Sequence, residues 1–348
     1  MSSFMDTFSW PMVLGPLTNG EDITRDAAAG AVSEIMAGNA TDAQMAAFLA
    51  SLRTKGESAE EMAGMVDAMM AAAVAVDIDG TVVDVVGTGG DGFGTFNIST
   101  TAALIAAGAG AKIAKHGNRA ASSKTGSADL LEVFGFDLEL GPDEVVAMIE
   151  ETGFGFFFAP RFHPAMAHVG PVRRELGIRT VFNFLGPLCN PAGARMSIGT
   201  SDSKMARLMV DVLASRGVDR AFVVHGDDGL DELTTTAPTR IFRLVDGEIT
   251  EAEFTPEDFG VQRATIGDLI GGDPDENLSI TTKVLDGERG PHRDIALVNA
   301  APAIVLADLA PGFEAAMEIA AESVDSGSAS RVLGNALAMS RNLGKAVS

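Results

Sequence analysis

DIDGTVVDVVGTGGD, residues 77–91, is the stretch on which the fold turns. A run of valines and an aspartate, about Val82 to Val86, follows an Asp-Gly turn and enters a glycine-rich loop. A short apolar run bounded by turn signals and rich in β-branched residues predicts a buried strand. TTAALIAAGAG (100–110) then predicts a helix, AKIAKH (111–116) a second short strand, and a further helix begins near Ser127. Strands alternating with helices in this way build an α/β domain around a mostly parallel sheet. Further on, RAFVVHG (220–226) predicts a strand, and TRIFRLVDGEIT (239–250) alternates around an Asp-Gly pair and predicts a β-hairpin.

Upstream of this stretch the chain reads as helical throughout. Thr41 is an N-cap, with Met45, Phe48, Leu49 and Leu52 at helical spacing behind it and Gly56 as the stop. Ser58 and Glu61 form a capping-box pattern ahead of Met62, Met65, Val66, Met69 and Met70, a stripe that reads as core. An earlier helix spans roughly Thr24 to Ala37 and ends at Gly38. RFHPAMAHVGPVRRELGIRTVFNFLGPLCNP (161–191) interrupts the strands with a helical and loop-like excursion. The expected fold class is α/β: a small N-terminal helical domain and a larger α/β domain, its central, mostly parallel sheet flanked by helices.

The 348 residues carry 48 Asp and Glu against 25 Lys and Arg, a formal net charge of -23. Such acidity opposes general affinity for nucleic acid, which needs cations to neutralise phosphates. No apolar run reaches the length of a membrane span, and MSSFMDTFSWPMVLGPL (1–17) lacks a basic segment followed by a long apolar one. Cys189 is the single cysteine, which excludes an internal disulfide and suits a reducing compartment. The expectations are a cytoplasmic location, no membrane partner and no nucleic-acid partner.

Three loops carry polar chemistry. GTGGDG (87–92) matches GxGxxG after a strand, a weak signal by itself. A dinucleotide site needs an acid at the end of the next strand, whereas that strand ends in Lys115 and His116. No Gly-Lys-Ser/Thr follows for a Walker motif. What remains is a loop for close backbone approach, then NIST (97–100) at a helix start, where free N–H groups and hydroxyls favour an anion. KHGNRAASSKTGSADLLE (115–132) is the second loop, at the carboxyl end of a strand. It lies in an acid-free stretch from Gly92 to Ala128 whose cations are Lys112, Lys115, Arg119 and Lys124. Two such loops imply a ligand with more than one phosphate. HGDDGLDELTTTAPT (225–239), the third, places Asp227, Asp228, Asp231 and Glu232 together after a strand. Carboxylates beside a polyphosphate suit Mg²⁺; a solvated acidic loop is the alternative. His225 reads as a structural residue at the strand end.

GTGGD, NIST, KHGNRAASSKTGSAD, GPLCNP and DGLDE, in this order and spacing, resemble the anthranilate phosphoribosyltransferases of tryptophan biosynthesis across nearly the whole chain. The resemblance implies the type III phosphoribosyltransferase fold shared with nucleoside phosphorylases. It sets a helical domain at 1–78, joined by a return segment of about 163–191, and an α/β domain at 79–162 and 192–348. It also implies transfer of the phosphoribosyl group of 5-phospho-α-D-ribose 1-diphosphate (PRPP) to the anthranilate amine, assisted by Mg²⁺ with two ions per site, in a homodimer joined through the helical domain. By motif position PRPP is surrounded by Gly87, Gly90, Asp91, Thr95, Asn97, Ile98, Ser99 and Thr100. Lys115, His116, Gly117, Asn118, Arg119, Ala120, Ala121, Ser122, Ser123 and Ser127 complete that set. Ser99, Asp231 and Glu232 match the metal positions, and Gly87, Asn118, His163 and Arg173 the anthranilate contacts. No general acid, base or nucleophile is assigned. Cys189 departs from the threonine or leucine expected in GPLCNP, a change of packing only. The competing readings are a pyrimidine nucleoside phosphorylase, which shares the fold, and a non-enzymatic nucleic-acid-binding relative.

Overall fold

The computed structural model describes residues 8–120 and 123–347. Its strands are β1 (Val83–Gly87), β2 (Ile113–Gly117), β3 (Phe154–Phe158), β4 (Arg195–Gly199), β5 (Arg220–Gly226), β6 (Thr239–Val245) and β7 (Glu248–Phe254). They form one seven-stranded sheet in the order β3-β2-β1-β4-β5-β6-β7. The first five run parallel, and β6 and β7 extend the sheet as an antiparallel hairpin. Asp246 and Gly247 close that hairpin with φ of 48° and 85°. Two left-handed residues in succession are what a two-residue primed turn requires.

The strand order reverses between β1 and β4, because β1 pairs with β2 on one side and β4 on the other. In open parallel sheets the crevice beyond the carboxyl ends of such a strand pair is where ligands bind. The loop that follows β1 begins there. β3, FGFFF, is buried along its whole length and lies at the sheet edge. Neither β3 nor β4 is expected from the sequence: β3 is an apolar run without β-branched residues, and β4, RMSIG, is too short for a clear pattern.

The N-terminal residues fold as helices Trp10–Thr18, Arg25–Met36, Asp42–Lys55 and Ala59–Ala71. Thr41 with Gln44 and Ser58 with Glu61 form capping boxes, each satisfying two amides that the helix start leaves open. Thr24 caps the second helix by accepting from the Ala27 amide. Trp10–Thr18 carries prolines at its start and at Pro16, which hide it from a periodicity reading. Gly64 lets two helices touch: a methyl there would lie 2.1 Å from the Arg25 carbonyl oxygen.

Two apolar cores sandwich the sheet. One packs helices Ile98–Gly108, Pro291–Leu306 and Phe313–Asp325 against Val85, Phe222 and Val224. The other joins the N-terminal helices, residues of the 169–189 stretch and helix Ser203–Ser215 to Met196, Ile198, Ala221 and Val223. Alternate residues of β5 thus serve opposite cores, as a period of two demands. The helical part is fused to one face of the sheet through helix Ser203–Ser215. Among the described residues no helix is long and apolar enough to cross a membrane.

Candidate active site

The glycine loop after β1 is shaped by φ near +70° to +80° at Gly89, Gly90 and Gly92 (69°, 78° and 80°), conformations only glycine adopts freely. Gly87 is glycine for another reason. A Cβ there would meet the Asp231 carboxylate at 2.4 Å, and one at Gly199 would meet the Asp231 carbonyl at 1.8 Å. The acidic loop after β5 therefore rests directly on the ends of β1 and β4. Asp231 Oδ2 accepts from the Gly89 amide at 2.6 Å. Glu232 accepts from the Ser99 amide at the start of helix Ile98–Gly108. A carboxylate at a helix N-terminus is stabilised by the dipole and the open amides.

Lys115, at 1% exposure, is the cation inside this cluster. From β2 it reaches the Val85 carbonyl at 2.5 Å and the Ser99 hydroxyl at 3.4 Å. Burial lowers its pKa, opposed by Asp84 and Glu232. Burial likewise pushes Asp231 up to about 7, helped by neighbouring Asp91, and Glu232 well above the usual carboxylate range, helped by Asp231. Lys115 faces Asp84 and Glu232, and Asp231 stands beside Glu232, so buried carboxyl groups outnumber the cation, and a bound cation would favour their ionised forms. Hard oxygen donors fit Mg²⁺. Among the described residues no three His, Cys, Asp or Glu are grouped to hold a metal.

The other two acids of that loop do different work. Asp228 folds the loop, accepting from the hydroxyls of Thr234 and Thr236 and from the Leu230 amide. Asp227 points to solvent. His225 hydrogen-bonds the Thr200 carbonyl at 2.9 Å, a structural role at the strand end.

In the first loop Thr95 bridges to Ile270, and Asn97 is held by Thr125 and Asn277. Ile98 and Thr100 are buried, so Ile98 can offer a ligand only its backbone; the Thr100 hydroxyl has no partner among the described residues. In the second loop Asn118 is exposed, and its side-chain oxygen accepts from the Arg119 amide. Arg119 is engaged elsewhere, with Glu132 at 2.6 and 2.8 Å and Asp129 at 3.2 Å. Lys112 is likewise paired, with Glu150. The basic character of 112–124 is therefore largely neutralised by acids farther along the chain. Asp129 also accepts from the Ala120 and Gly126 amides, which fixes the loop. Gly117 clears the Ser127 hydroxyl and the Phe156 ring rather than opening space by itself. The Ser123 hydroxyl bonds the Thr125 carbonyl, and Ser127 the Asn118 carbonyl. Ala121 and Ser122 lie outside the described residues.

His116 and His163 stand 5.0 Å apart, ring to ring. Burial, then the neighbouring His163, pushes His116 down to about 3, so it is neutral at working pH. His163 is also lowered by burial, and its Nε2 donates to the Cys189 carbonyl at 2.8 Å. The Cys189 thiol is itself buried against Met69, with burial raising it to about 12. Arg173 lies in helix Gly170–Leu176, its guanidinium 5.7 Å above the Phe182 ring. It makes no side-chain hydrogen bond or ion pair with any other described residue, and burial lowers its pKa. A half-buried, unpaired guanidinium is matched to a planar carboxylate.

Two groups escaped the sequence reading. Asn190 of GPLCNP donates to the buried Asp84 carboxylate (2.8 Å) and the Ala114 carbonyl (2.7 Å), pinning the return segment to β1 and β2. Arg179 donates to the Gly89 and Gly90 carbonyls at 3.1 Å each. It also lines a cavity of about 350 Å³ with Arg53, Phe184, Ser201, Asp202, Ser203 and His225, none of which was nominated from sequence as a ligand.

Residues 79–330 match the model of a glycosyl transferase family α/β domain, and 12–73 that of the same family's helical bundle domain. The chain is 50% identical over 335 residues to an anthranilate phosphoribosyltransferase from Salinispora arenicola, covering 93% of this chain and 95% of that one. The crystal structure of anthranilate phosphoribosyltransferase from Thermus thermophilus superposes with a TM-score of 0.90 at 42% identity, covering 94% of this chain and 99% of that one. The Saccharomyces cerevisiae enzyme in complex with PRPP and Mg gives 0.89 at 28% identity, covering 97% and 99%. With both parts of the fold, the ordered loops and nearly full-length identity in agreement, the chain belongs to the anthranilate phosphoribosyltransferase family.

Proposed function

We propose that the family's reaction, transfer of the phosphoribosyl group of PRPP to the anthranilate amine in tryptophan biosynthesis, runs between the two glycine loops and the 163–191 segment. The observation that carries this assignment is the meeting of the first loop and the helix start with buried Lys115, Asp231 and Glu232, with the second loop tied on through the Asn97 bond to the Thr125 carbonyl. The first loop, Lys115 and the start of helix Ile98–Gly108 hold the diphosphate and phosphoribosyl groups, with Asn118 and Ser127 from the second loop beside them. Arg173 receives the anthranilate carboxylate, and His163 and Gly87 line its approach. Ser99, Asp231 and Glu232 would hold Mg²⁺, two ions per site, which would supply positive charge to the departing diphosphate.

The chemistry asks little of a base. An aromatic amine shares its lone pair with the ring and is uncharged at neutral pH, so it attacks the ribose C1 without prior deprotonation. The barrier lies in charge separation as diphosphate leaves and ribose becomes cationic. Preorganised donors and Lys115 stabilise the leaving group in a site where the protein replaces water, and Arg173 aligns the amine with C1. Neutral His116 adds no charge beside His163. No covalent enzyme intermediate is needed.

We assign the helical part to 1–78 with a return segment of about 163–191, and the α/β part to 79–162 and 192–348; residues of 169–189 packing with the N-terminal helices in the second apolar core support this, although that core also takes in helix Ser203–Ser215 and one face of the sheet. We place the homodimer contact on the helical part, where Met12 is 50% exposed; light scattering after gel filtration tests it, a monomer mass opposing it. The single buried cysteine supports a cytoplasmic location. The decisive experiment follows anthranilate fluorescence on adding PRPP and Mg²⁺. Loss of the signal is expected, and a signal unchanged at enzyme excess overturns the assignment.

A further inference from the structure

The glycine loop has a brace on the side of its Gly89 and Gly90 carbonyls. Arg179 lies in the return segment, its guanidinium stacked 5.0 Å over the Phe184 ring. Nη2 donates to the Gly89 carbonyl and Nη1 to the Gly90 carbonyl, both at 3.1 Å, and Nη1 also reaches the Ser201 hydroxyl at 3.2 Å. The fit is close: a Cβ on Gly90 would lie 2.9 Å from Nη1.

We propose that Arg179 is a positioning residue for PRPP, fixing two peptide planes of the loop so that their N–H groups face the diphosphate. The argument starts from the trans peptide, in which the C=O and the following N–H point in opposite directions. None of the described peptide bonds is cis. Holding the Gly89 and Gly90 carbonyls against Arg179 therefore turns the amides of Gly90 and Asp91 to the opposite side. Neither amide donates to any described residue. The amide before them, Gly89, is already taken by Asp231. Two adjacent open N–H groups in a left-handed turn form an anion-binding concavity. A cation bonded to the carbonyl ends polarises both peptides and strengthens their N–H groups as donors.

Glycine makes the brace necessary. Gly89 and Gly90 are free to flip between mirror-related backbone regions, and a flip would aim carbonyl oxygens at the phosphates. Arg179 sits in the same segment as Arg173, so one stretch of chain presents the proposed anthranilate anchor and orients the PRPP loop.

This inference rests on the reading of the loop as the PRPP site, and steady-state kinetics of wild type, Arg179→Gln and Arg179→Lys separates the two. A wild type without PRPP-dependent loss of anthranilate fluorescence removes the underlying reading. Given an active wild type, Arg179→Gln should raise KM for PRPP about tenfold and leave KM for anthranilate within about twofold, the signature of a lost contact to one substrate. Arg179→Lys, a point charge that cannot bridge two carbonyls, should fall between. An unchanged KM for PRPP in Arg179→Gln, or equal rises for both substrates, overturns the proposal. If Arg179→Gln does not fold, a folded Arg179→Lys with wild-type KM for PRPP overturns it as well.

Discussion

The loops after β1 and β2 look alike in sequence, both rich in glycine and small polar residues, yet they are held by opposite means. The first loop is gripped from outside by charge: Asp231 takes its Gly89 amide and Arg179 its Gly89 and Gly90 carbonyls. The second loop is gripped from within, by Asp129 at its Ala120 and Gly126 amides. Its own cation Arg119 is spent on Asp129 and Glu132. Charge counted along a segment is therefore not charge delivered to a ligand. Of the cations in 112–124, Lys115 is the one buried against both the first loop's helix and the acids.

The strongest way to break this comparison is Lys115→Met. It removes a preorganised charge from the point where negative charge develops, and kcat/KM for PRPP should fall about 10³-fold, ~4 kcal/mol. It also leaves Asp84 and Glu232 without their buried partner, so the melting temperature should drop. A loss under about tenfold would mean that the loop amides carry the phosphate without Lys115.

Asp84 comes next, under the floor that both loops share. Burial keeps its carboxyl protonated up to about 6, against an ordinary 3.8. Between those values the folded chain holds more protons than the unfolded one, so stability falls as pH rises through the window and is flat above it. The span corresponds to about 3 kcal/mol. Asp84→Asn cannot ionise. The difference in unfolding free energy between wild type and variant, from urea titrations at about pH 4 and pH 6.5, should shift by about 2 kcal/mol of that span in favour of the variant at the higher pH. A constant difference would show that Asp84 ionises as freely folded as unfolded.

Arg173→Ala sharpens the comparison by leaving both loops intact. Loss of a charge-assisted pair with the anthranilate carboxylate should raise KM for anthranilate about 30-fold, ~2 kcal/mol. KM for PRPP should stay within about twofold. Equal effects on both would place Arg173 in the fold and not against the substrate.

Much of this was legible in the sequence where cause and effect lie close along the chain. The N-cap at Thr41, the capping box at Ser58 and the Asp246-Gly247 turn are decided within a few residues, and the structure has them as expected; the Gln44 half of a box at Thr41 was not foreseen. The two glycine loops are legible as candidates because glycine and the N–H groups of a helix start advertise anion binding locally. What stayed hidden is non-local. Arg179 acts on backbone carbonyls some 90 residues away, and backbone atoms leave no mark on a motif. The Phe154–Phe158 strand shows no alternation, since it is buried throughout. Helix Pro291–Leu306 continues through Pro302, a residue that reads as a breaker. The pairing of Arg119 with Asp129 and Glu132 was not legible either, because those acids belong to the next helix, beyond the acid-free stretch.

The smallest expected effect tests that last point. Arg119 is 46% exposed at its side chain and already paired, so its bonds to Glu132 compete with water and salt. Arg119→Gln should cost less than about 1 kcal/mol of stability and move KM for PRPP by less than about threefold, against the large loss at Lys115. The pairing also predicts the salt response. Raising ionic strength screens the exposed pair and leaves the buried one nearly untouched, so the variant and wild type should converge in stability at high salt. A tenfold rise in KM for PRPP in Arg119→Gln would show that substrate pulls the guanidinium away from Glu132. The second loop would then be a charged one, with its acids acting as a latch.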